Sequence, residues 1–91
     1  MAILRLIRSA QGREAYDSVN AIVDIEHRHP LGLIMHGAAE VNGKMQIAEV
    51  WESKRYARRF DEEYLVPAAE AAGVQPAAEI TIIELQHLVT P

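Results

Sequence analysis

Hydrophobic and polar positions along the 91-residue chain change their period several times, and each change predicts a new element. Residues 2–8 form a short apolar run that a polar segment breaks off, which predicts a first strand. Residues 13–27 then carry apolar side chains at helical spacing among charged ones. They predict an amphipathic helix whose apolar side is formed by Ala15, Val19, Ile22 and Val23.

Residues 32–53 read as two apolar runs folded about a central Asn42-Gly43, which is among the strongest short-range signals of a β-hairpin. If these two residues are the centre of a type I′ turn, Val41 pairs with Lys44 and the register of both strands follows. The predicted cross-strand pairs are then His36 with Glu49, Ile34 with Trp51, and Ala38 with Ile47.

A second helix is predicted over residues 54–73, followed by a last strand over residues 78–90. Pro67 should kink or split this helix, because proline cannot donate the helical hydrogen bond. Phe60 lies midway along the apolar stripe and is predicted to be core. The stripe consists of Tyr56, Phe60, Tyr64, Leu65 and Ala68. The basic residues of its first turns, Lys54, Arg55, Arg58 and Arg59, should lie on the solvated side and pair with Asp61, Glu62 and Glu63.

The predicted order of elements is β-α-β-β-α-β over a single domain, residues 1–91. This order indicates an α+β, ferredoxin-like fold with a four-stranded antiparallel sheet and both helices on one face. Strand two is apolar on both sides, with Leu33, Met35 and Ala39 on one face and Ile34 and Ala38 on the other. A sheet with one wet face should alternate instead, so we expect two sheets to pack face to face in a two-fold symmetric homodimer.

Composition and charge exclude several classes of function. The net charge of −4, with both signs mixed along the chain, predicts no nucleic-acid or membrane partner. There is no cysteine, so disulfides, a thiolate nucleophile and a cysteine-based zinc site are excluded. Two arginines interrupt the apolar start of the chain, unlike a signal peptide, and predict a cytoplasmic protein. His27 and His29 are spaced for a metal but lack a nearby third ligand, so no metal is predicted.

His36 and Glu49 are the residues most suited to chemistry, and two interpretations remain open for them. They form either a structural cross-strand pair or a catalytic pair in which the carboxylate orients the imidazole as a general base. His87, on the predicted last strand, either lines a pocket with His36 or directs its polar tip to solvent. Trp51 and Tyr56 fit a core position, and a place in the wall of a pocket is the alternative.

The segment AEVWES running into a helix, the RF...YL.P pattern of that helix and the apolar last strand resemble the antibiotic biosynthesis monooxygenase-like superfamily. The resemblance covers nearly the whole chain. It implies a dimeric α/β barrel, whereas activities within the superfamily include cofactor-independent oxygenation of polycyclic phenols, haem degradation, isomerisation and dehalogenation.

The resemblance also implies roles for particular residues. Trp51 matches a strand-three tryptophan that lines the pocket, Tyr56 lies near a helix tyrosine, and His36 resembles a strand-two histidine. Ile47 departs from the pattern, because the phenol-oxidising members have an asparagine there.

These patterns together predict a homodimeric barrel that binds a small apolar or aromatic metabolite without a cofactor. His36 and Glu49 are the candidate catalytic residues, and Trp51, Tyr56 and His87 the candidate binding residues. A cofactor-independent monooxygenase or isomerase is the leading activity; the alternative is a non-catalytic dimeric module with a filled pocket.

Overall fold

The computed structural model describes all residues, 1–91, and confirms the predicted α+β, ferredoxin-like fold. Four strands form one antiparallel sheet in the order β2-β3-β1-β4, so β1 and β3 are central and β2 and β4 are the edges. The strands are β1 (Ile3–Arg8), β2 (Leu33–Val41), β3 (Lys44–Trp51) and β4 (Glu79–Glu84). The helices are α1 (Arg13–Val23), α2 (Ile25–Arg28), α3 (Lys54–Phe60) and α4 (Val66–Ala72), with a π-helical turn (Asp61–Leu65) between the last two.

The β2–β3 hairpin has the predicted turn and most of the predicted register. Asn42 and Gly43 both have positive φ, 51° and 78°, as a type I′ turn requires. Val41 pairs with Lys44, and the pairing of His36 with Glu49 and of Ala38 with Ile47 is confirmed.

The prediction that Ile34 faces Trp51 is wrong. A β-bulge between Leu33 and Met35 shifts the register by one residue, so that Leu33 lies opposite Trp51. Leu33 therefore packs against the core, whereas Ile34 is exposed at the edge of the sheet. This also corrects the predicted faces of β2, because Leu33 and Met35 are on opposite sides.

The predicted helix over residues 13–27 is interrupted at Asp24. This residue takes the left-handed conformation with φ of 50°, which aspartate tolerates better than most side chains, and it ends α1. Asn20 Oδ1 accepts a hydrogen bond from the N–H of Ile25, and Arg28 Nε donates to the carbonyl of Val23. The chain turns here because local side chains satisfy backbone groups that a continuous helix would have paired.

The predicted second helix is split, as expected, next to Pro67. The helix widens into the π-helical turn just before the proline, which lies in the first turn of α4. Proline has no N–H to donate and its ring clashes with the carbonyl four residues earlier, and a π turn is one way a helix accommodates this. The widened turn begins at Asp61.

The last strand is shorter than predicted and ends at Glu84. The N–H of Leu85 still donates to the carbonyl of Ala2, but the residues that follow form no strand. His87 therefore lies beyond the sheet on an exposed segment and is not a strand residue.

The core lies between the sheet and the helices, on one face of the sheet. Ile3 and Trp51 are fully buried there, and Phe60 packs on the Trp51 ring at a centroid distance of 5.3 Å. The prediction that Phe60 is core is confirmed. The opposite face of the sheet carries exposed apolar side chains on three strands: Leu6, Met35, Val41 and Ile83.

None of the helices combines the length and the apolar character that crossing a bilayer demands.

Candidate functional site

A cavity of about 390 Å³ lies between the sheet and the helices, beside the Trp51–Phe60 core. Its wall is mostly apolar and comes from the helix-facing side of the sheet, from α1, from the π-helical turn and α4, and from residues 74–77. The volume lies within the range of small-molecule sites, roughly 300–1,000 Å³. Four titratable side chains of the wall lie close together, two on the sheet and two on the helices that cover it: His36, Glu49, Tyr16 and Asp61.

A continuous chain of hydrogen bonds links these groups and extends behind the wall. Tyr16 Oη lies 2.7 Å from His36 Nε2, and His36 Nδ1 lies 2.8 Å from Glu49 Oε2. The other oxygen of Glu49 accepts from Arg5 Nε at 3.0 Å and Nη2 at 2.7 Å, and from Trp51 Nε1 at 3.0 Å. A tyrosine hydroxyl at the cavity is thereby connected to a buried carboxylate through an imidazole.

Arg5 joins a second carboxylate to this chain. Its Nη1 donates to Asp61 Oδ2 at 2.6 Å, so that one guanidinium bridges β3 and the π-helical turn. The prediction that Asp61 pairs with the basic residues of its own helix is therefore wrong, although Arg59 does pair with Glu63. The reason is geometric. In the π-helical turn Asp61 is directed toward β1, where the buried guanidinium of Arg5 needs a carboxylate partner.

The hydrogen-bond chain has a defined direction. An ionised carboxylate can only accept, so the proton between His36 and Glu49 belongs to His36 Nδ1. When the imidazole is neutral, Nε2 is an acceptor and the Tyr16 hydroxyl donates to it, whereas an imidazolium would donate from Nε2 to the tyrosine oxygen. This arrangement allows a proton to move from the cavity to His36 through the Tyr16 hydroxyl.

The environment keeps Glu49 charged and Tyr16 neutral. Burial acts to raise the pKa of Glu49, but the hydrogen bond from His36 and the charge of Arg5 outweigh it, so that this pKa is lowered. Burial acts to lower the pKa of Arg5, and its partners Asp61 and Glu49 outweigh that effect and raise it. Burial raises the pKa of Tyr16, and the negative charges of Glu49 and Asp17 add to the shift.

The Tyr16–His36 pair also forms part of an outer groove on the other side of the same wall. The two rings lie nearly parallel, with centroids 6.1 Å apart and planes inclined by 17°. Glu26 and His29 line this groove together with the pair. The two side chains therefore separate the interior cavity from a more open surface.

The structure brings together only some of the residues that the sequence singled out. His36 and Glu49 both line the cavity. Trp51 is fully buried in the core and contributes its N–H to Glu49, outside the cavity wall. Tyr56 packs over Gly32, where an added Cβ would collide with the ring, and His87 lies on the exposed terminal segment. No three histidine, aspartate or glutamate side chains are placed to share a metal ion.

Three residues of the network were missed at the sequence level: Arg5, Tyr16 and Asp61. The burial of Arg5 could have been recognised from the sequence, because Arg5 alternates with Ile3 and Ile7 and so shares the inward face of β1 with them. A charge at an inward position of a strand demands a buried partner. Tyr16 and Asp61 gave no such signal, since their contacts depend on how the helices sit on the sheet.

The backbone as a whole matches solved structures over almost its full length. Rv0793 from Mycobacterium tuberculosis superposes with a TM-score of 0.70 at 14% identity, covering 99% of this chain and 100% of that one. The chain has the fold of the antibiotic biosynthesis monooxygenase-like proteins. SnoaB, a cofactor-independent oxygenase from Streptomyces nogalater, superposes with a TM-score of 0.61 at 15% identity, covering 99% and 95% of the two chains.

A candidate antibiotic biosynthesis monooxygenase from Chloroflexus aurantiacus gives a TM-score of 0.71 at 16% identity, covering 99% and 98%. No protein-family model matches the sequence. No curated protein matches it either. The likeness therefore concerns the fold alone.

Proposed function

We propose that the cavity binds a small, mostly apolar molecule and that the Tyr16–His36–Glu49 chain removes a weakly acidic proton from it. The observation that carries this proposal is the hydrogen-bond chain itself, which ends at an open cavity. A purely structural pair needs no third member and no space beside it. An open cavity that touches both His36 and Glu49 also argues against the filled module as the alternative.

The proposed step is a general-base reaction. A C–H or O–H proton of the ligand passes to the Tyr16 hydroxyl as the hydroxyl's own proton passes to His36 Nε2, and Glu49 stabilises the imidazolium that results. Return of the proton to a different carbon completes an isomerisation. Alternatively, dioxygen oxidises the carbanion of a CH₂ group, which becomes a carbonyl while dioxygen is reduced and one water is released. Neither route requires a resident cofactor, in keeping with SnoaB being a cofactor-independent oxygenase.

Binding is tested with 2-naphthol, a bicyclic phenol with an apolar body. We expect saturable binding by calorimetry, and loss of that binding in Ala69→Phe, which adds a ring inside the cavity wall. Ala71→Phe is the matched control, because this residue of the same helix is exposed and lies outside the wall. Binding that survives Ala69→Phe would place the ligand elsewhere and contradict the proposal.

Proton transfer is tested with 2-tetralone in deuterated water, where exchange of the acidic C–H positions is followed by NMR. General-base catalysis contributes typically about 10²–10⁴-fold, so exchange should be accelerated and should saturate with ketone concentration. His36→Gln should remove at least about nine-tenths of that acceleration if the imidazole is the base. Exchange no faster than in buffer, or equally fast in His36→Gln, would refute the catalytic step.

We further propose that the chain is a homodimer through the bare face of the sheet, in the cytoplasm as expected from the sequence. The support is the set of exposed apolar side chains on that face, which solvent would otherwise meet. Leu6→Glu should convert a two-chain particle into a monomer in sedimentation. Ile22→Glu is the control, since Ile22 on α1 is 48% exposed, comparable to 41% for Leu6. A wild-type monomer at micromolar concentration would contradict the dimer.

A further inference from the structure

A ligand that gives up a proton in the cavity needs a hydrogen-bond donor for the negative charge that it retains. In a ketone, the electron pair of the broken C–H bond moves onto the carbonyl oxygen, and donors already directed at that oxygen stabilise the anion. No lysine or arginine lines the wall. Arg5 lies behind the wall and already binds Glu49 and Asp61. The donor must therefore be a neutral group of the wall.

Five side chains of the wall carry an N–H or O–H donor: Ser9, Tyr16, Asn20, His36 and Gln75. Tyr16 and His36 bind each other and form the path of the proton. Ser9 directly follows β1 and lies about 13 Å along the strand direction from Arg5 and its partner Glu49. Gln75 lies at the same end as Ser9, because its N–H donates to the side chain of Gln11. Asn20 is therefore the donor that lies closest to the proton path.

Asn20 lies one helical turn after Tyr16 on α1, so the two side chains share one face of the helix. Both line the interior cavity, and both line the outer groove. Side chains four residues apart on a helix have Cβ atoms about 5–6 Å apart. In a ketone, one carbon atom separates the oxygen from the carbon that loses its proton. Two groups one turn apart can therefore serve that carbon and that oxygen at the same time.

The backbone around Asn20 determines which end of its amide is free. Oδ1 accepts a hydrogen bond from the N–H of Ile25 at 3.3 Å, and the carbonyl oxygen of Asn20 accepts from the N–H of Asp24 at 2.6 Å. A flipped amide would place two donors against each other, so the bond to Ile25 identifies Oδ1. Nδ2 has no partner within the chain and is not a buried atom, so it can donate to a ligand.

We propose that Asn20 Nδ2 donates a hydrogen bond to the ligand oxygen and stabilises the oxyanion that forms when the Tyr16–His36 pair removes the proton. This inference deepens the proposed function and rests on it. The C–H proton passes to the Tyr16 hydroxyl, the hydroxyl's own proton passes to His36 Nε2, and the electron pair moves to the ligand oxygen. Asn20 keeps both amide protons. The donor serves a ligand oxygen whether that oxygen enters neutral or ionised.

A purely structural role at the end of α1 would use only the acceptor of this side chain. Aspartate supplies the same acceptor to the N–H of Ile25, and its ionised carboxylate has no N–H or O–H to donate. Asn20→Asp therefore keeps the turn after α1 and removes the donor. Asn20→Leu removes both the acceptor and the donor but adds no charge. The two variants together separate loss of the donor from loss of the turn and from a change in charge.

The infrared carbonyl band of bound 2-tetralone reports the hydrogen bond directly, since a donor on the oxygen lowers the stretching frequency. We expect the band to move to higher frequency in both Asn20 variants. The kcat for C–H exchange should fall at least about tenfold, with a far smaller change in KM. Ser18→Ala is the control and should change neither, because Ser18 binds the carbonyl of Glu14 on the exposed side of the same helix.

The outcomes separate this inference from the function on which it rests. If the wild type does not accelerate exchange of 2-tetralone, the proposed function fails and the inference fails with it. If exchange is accelerated but Asn20→Asp has the band and the kcat of the wild type, the function stands and the inference is overturned. A band that moves only in Asn20→Leu would assign the effect to the lost turn and overturn it as well. A band that moves without any fall in kcat would refute the stabilisation of the oxyanion.

Discussion

Two neighbouring rows of side chains on the helix-covered face of the sheet are built in opposite ways. One row is apolar, with Ile3 of β1 opposite Trp51 of β3, both fully buried under Phe60. The next row, two residues along each strand, places Arg5 opposite Glu49, with both again buried. The same sheet thus buries a hydrophobic pair and an ion pair side by side.

The two rows contribute different things: the apolar row stabilises the fold, and the ionic row supplies charged groups to the candidate site. The apolar row gains stability from area removed from water, and nearly any change that leaves a void reduces it. The ionic row must overcome the desolvation of two charges, so it adds little to stability compared with apolar residues of the same shape. A buried row of charges that ends at His36 and an open cavity is therefore better explained by the chemistry of the site than by the needs of the fold.

Phe60→Ala should have the largest effect on stability, because it removes a buried ring that packs on Trp51. We expect a loss of about 3 to 5 kcal/mol in the free energy of unfolding, measured by urea denaturation. Phe60→Leu retains most of the volume and should lose far less. A loss below about 1 kcal/mol for the alanine variant would show that the apolar row does not hold the fold as described.

Arg5→Met should come next, with a loss of about 3 kcal/mol, because it leaves two carboxylates without their shared cation. The Asp61 side chain is 28% exposed, but its Oδ1 is buried without a hydrogen-bond partner, so loss of Arg5 leaves this carboxylate unpaired as well. Arg8→Met on the exposed side of the same strand is the control and should change stability by no more than about 0.5 kcal/mol.

The double variant Arg5→Met with Glu49→Leu sharpens the contrast between the rows. It replaces the ion pair by apolar side chains, so it should recover part of the stability that the single change removes. Further loss in the double variant would show that the ionic row stabilises the fold more than apolar residues do, which would contradict this expectation.

The sequence predicted the apolar row better than the ionic row for a physical reason. The core position of Phe60 can be predicted from helical periodicity, and the pairing of His36 with Glu49 from the register set by one turn. Each of these two predictions depends only on a short stretch of chain. Arg5 pairs with Glu49 only through the β1–β3 ladder, which joins residues 44 positions apart and has no local signal. The same holds for Tyr16, whose contact with His36 requires the docking of α1 on an edge strand.

Local errors have equally local causes. The bulge at Leu33–Met35 shifted Trp51 away from its predicted partner, since a single extra residue reverses the faces of a strand. The resemblance implies that Trp51 and Tyr56 line a pocket, and in this chain the tryptophan of the apolar row and the tyrosine over Gly32 lie outside the wall of this cavity.

The pH dependence of stability isolates Glu49 within the ionic row. Its pKa is lower in the folded than in the unfolded chain, so its contribution is complete above the unfolded value of about 4.5 and is lost as pH falls through the folded value. Between pH 6 and pH 3, the free energy of unfolding should therefore fall by about 1 to 2 kcal/mol more in the wild type than in Glu49→Gln. Glu62→Gln, at an exposed position, should follow the wild type. Parallel curves for wild type and Glu49→Gln would show that the carboxylate is not stabilised in its charged form.

Tyr16→Phe should have the smallest effect on stability and the most direct bearing on the site. It removes one neutral hydrogen bond to His36 Nε2, which is worth about 0.5 to 1.5 kcal/mol. Glu49 still accepts from Nδ1, so nitrogen-15 NMR should report the same tautomer before and after the change, with Nε2 moved toward the signal of a bare acceptor. Tyr64→Phe, which removes a hydroxyl from a half-exposed ring, should leave both nitrogens where they were. An unmoved Nε2 signal in Tyr16→Phe would show that the Tyr16 hydroxyl does not bind this nitrogen, and the relay of a proton through Tyr16 would be refuted.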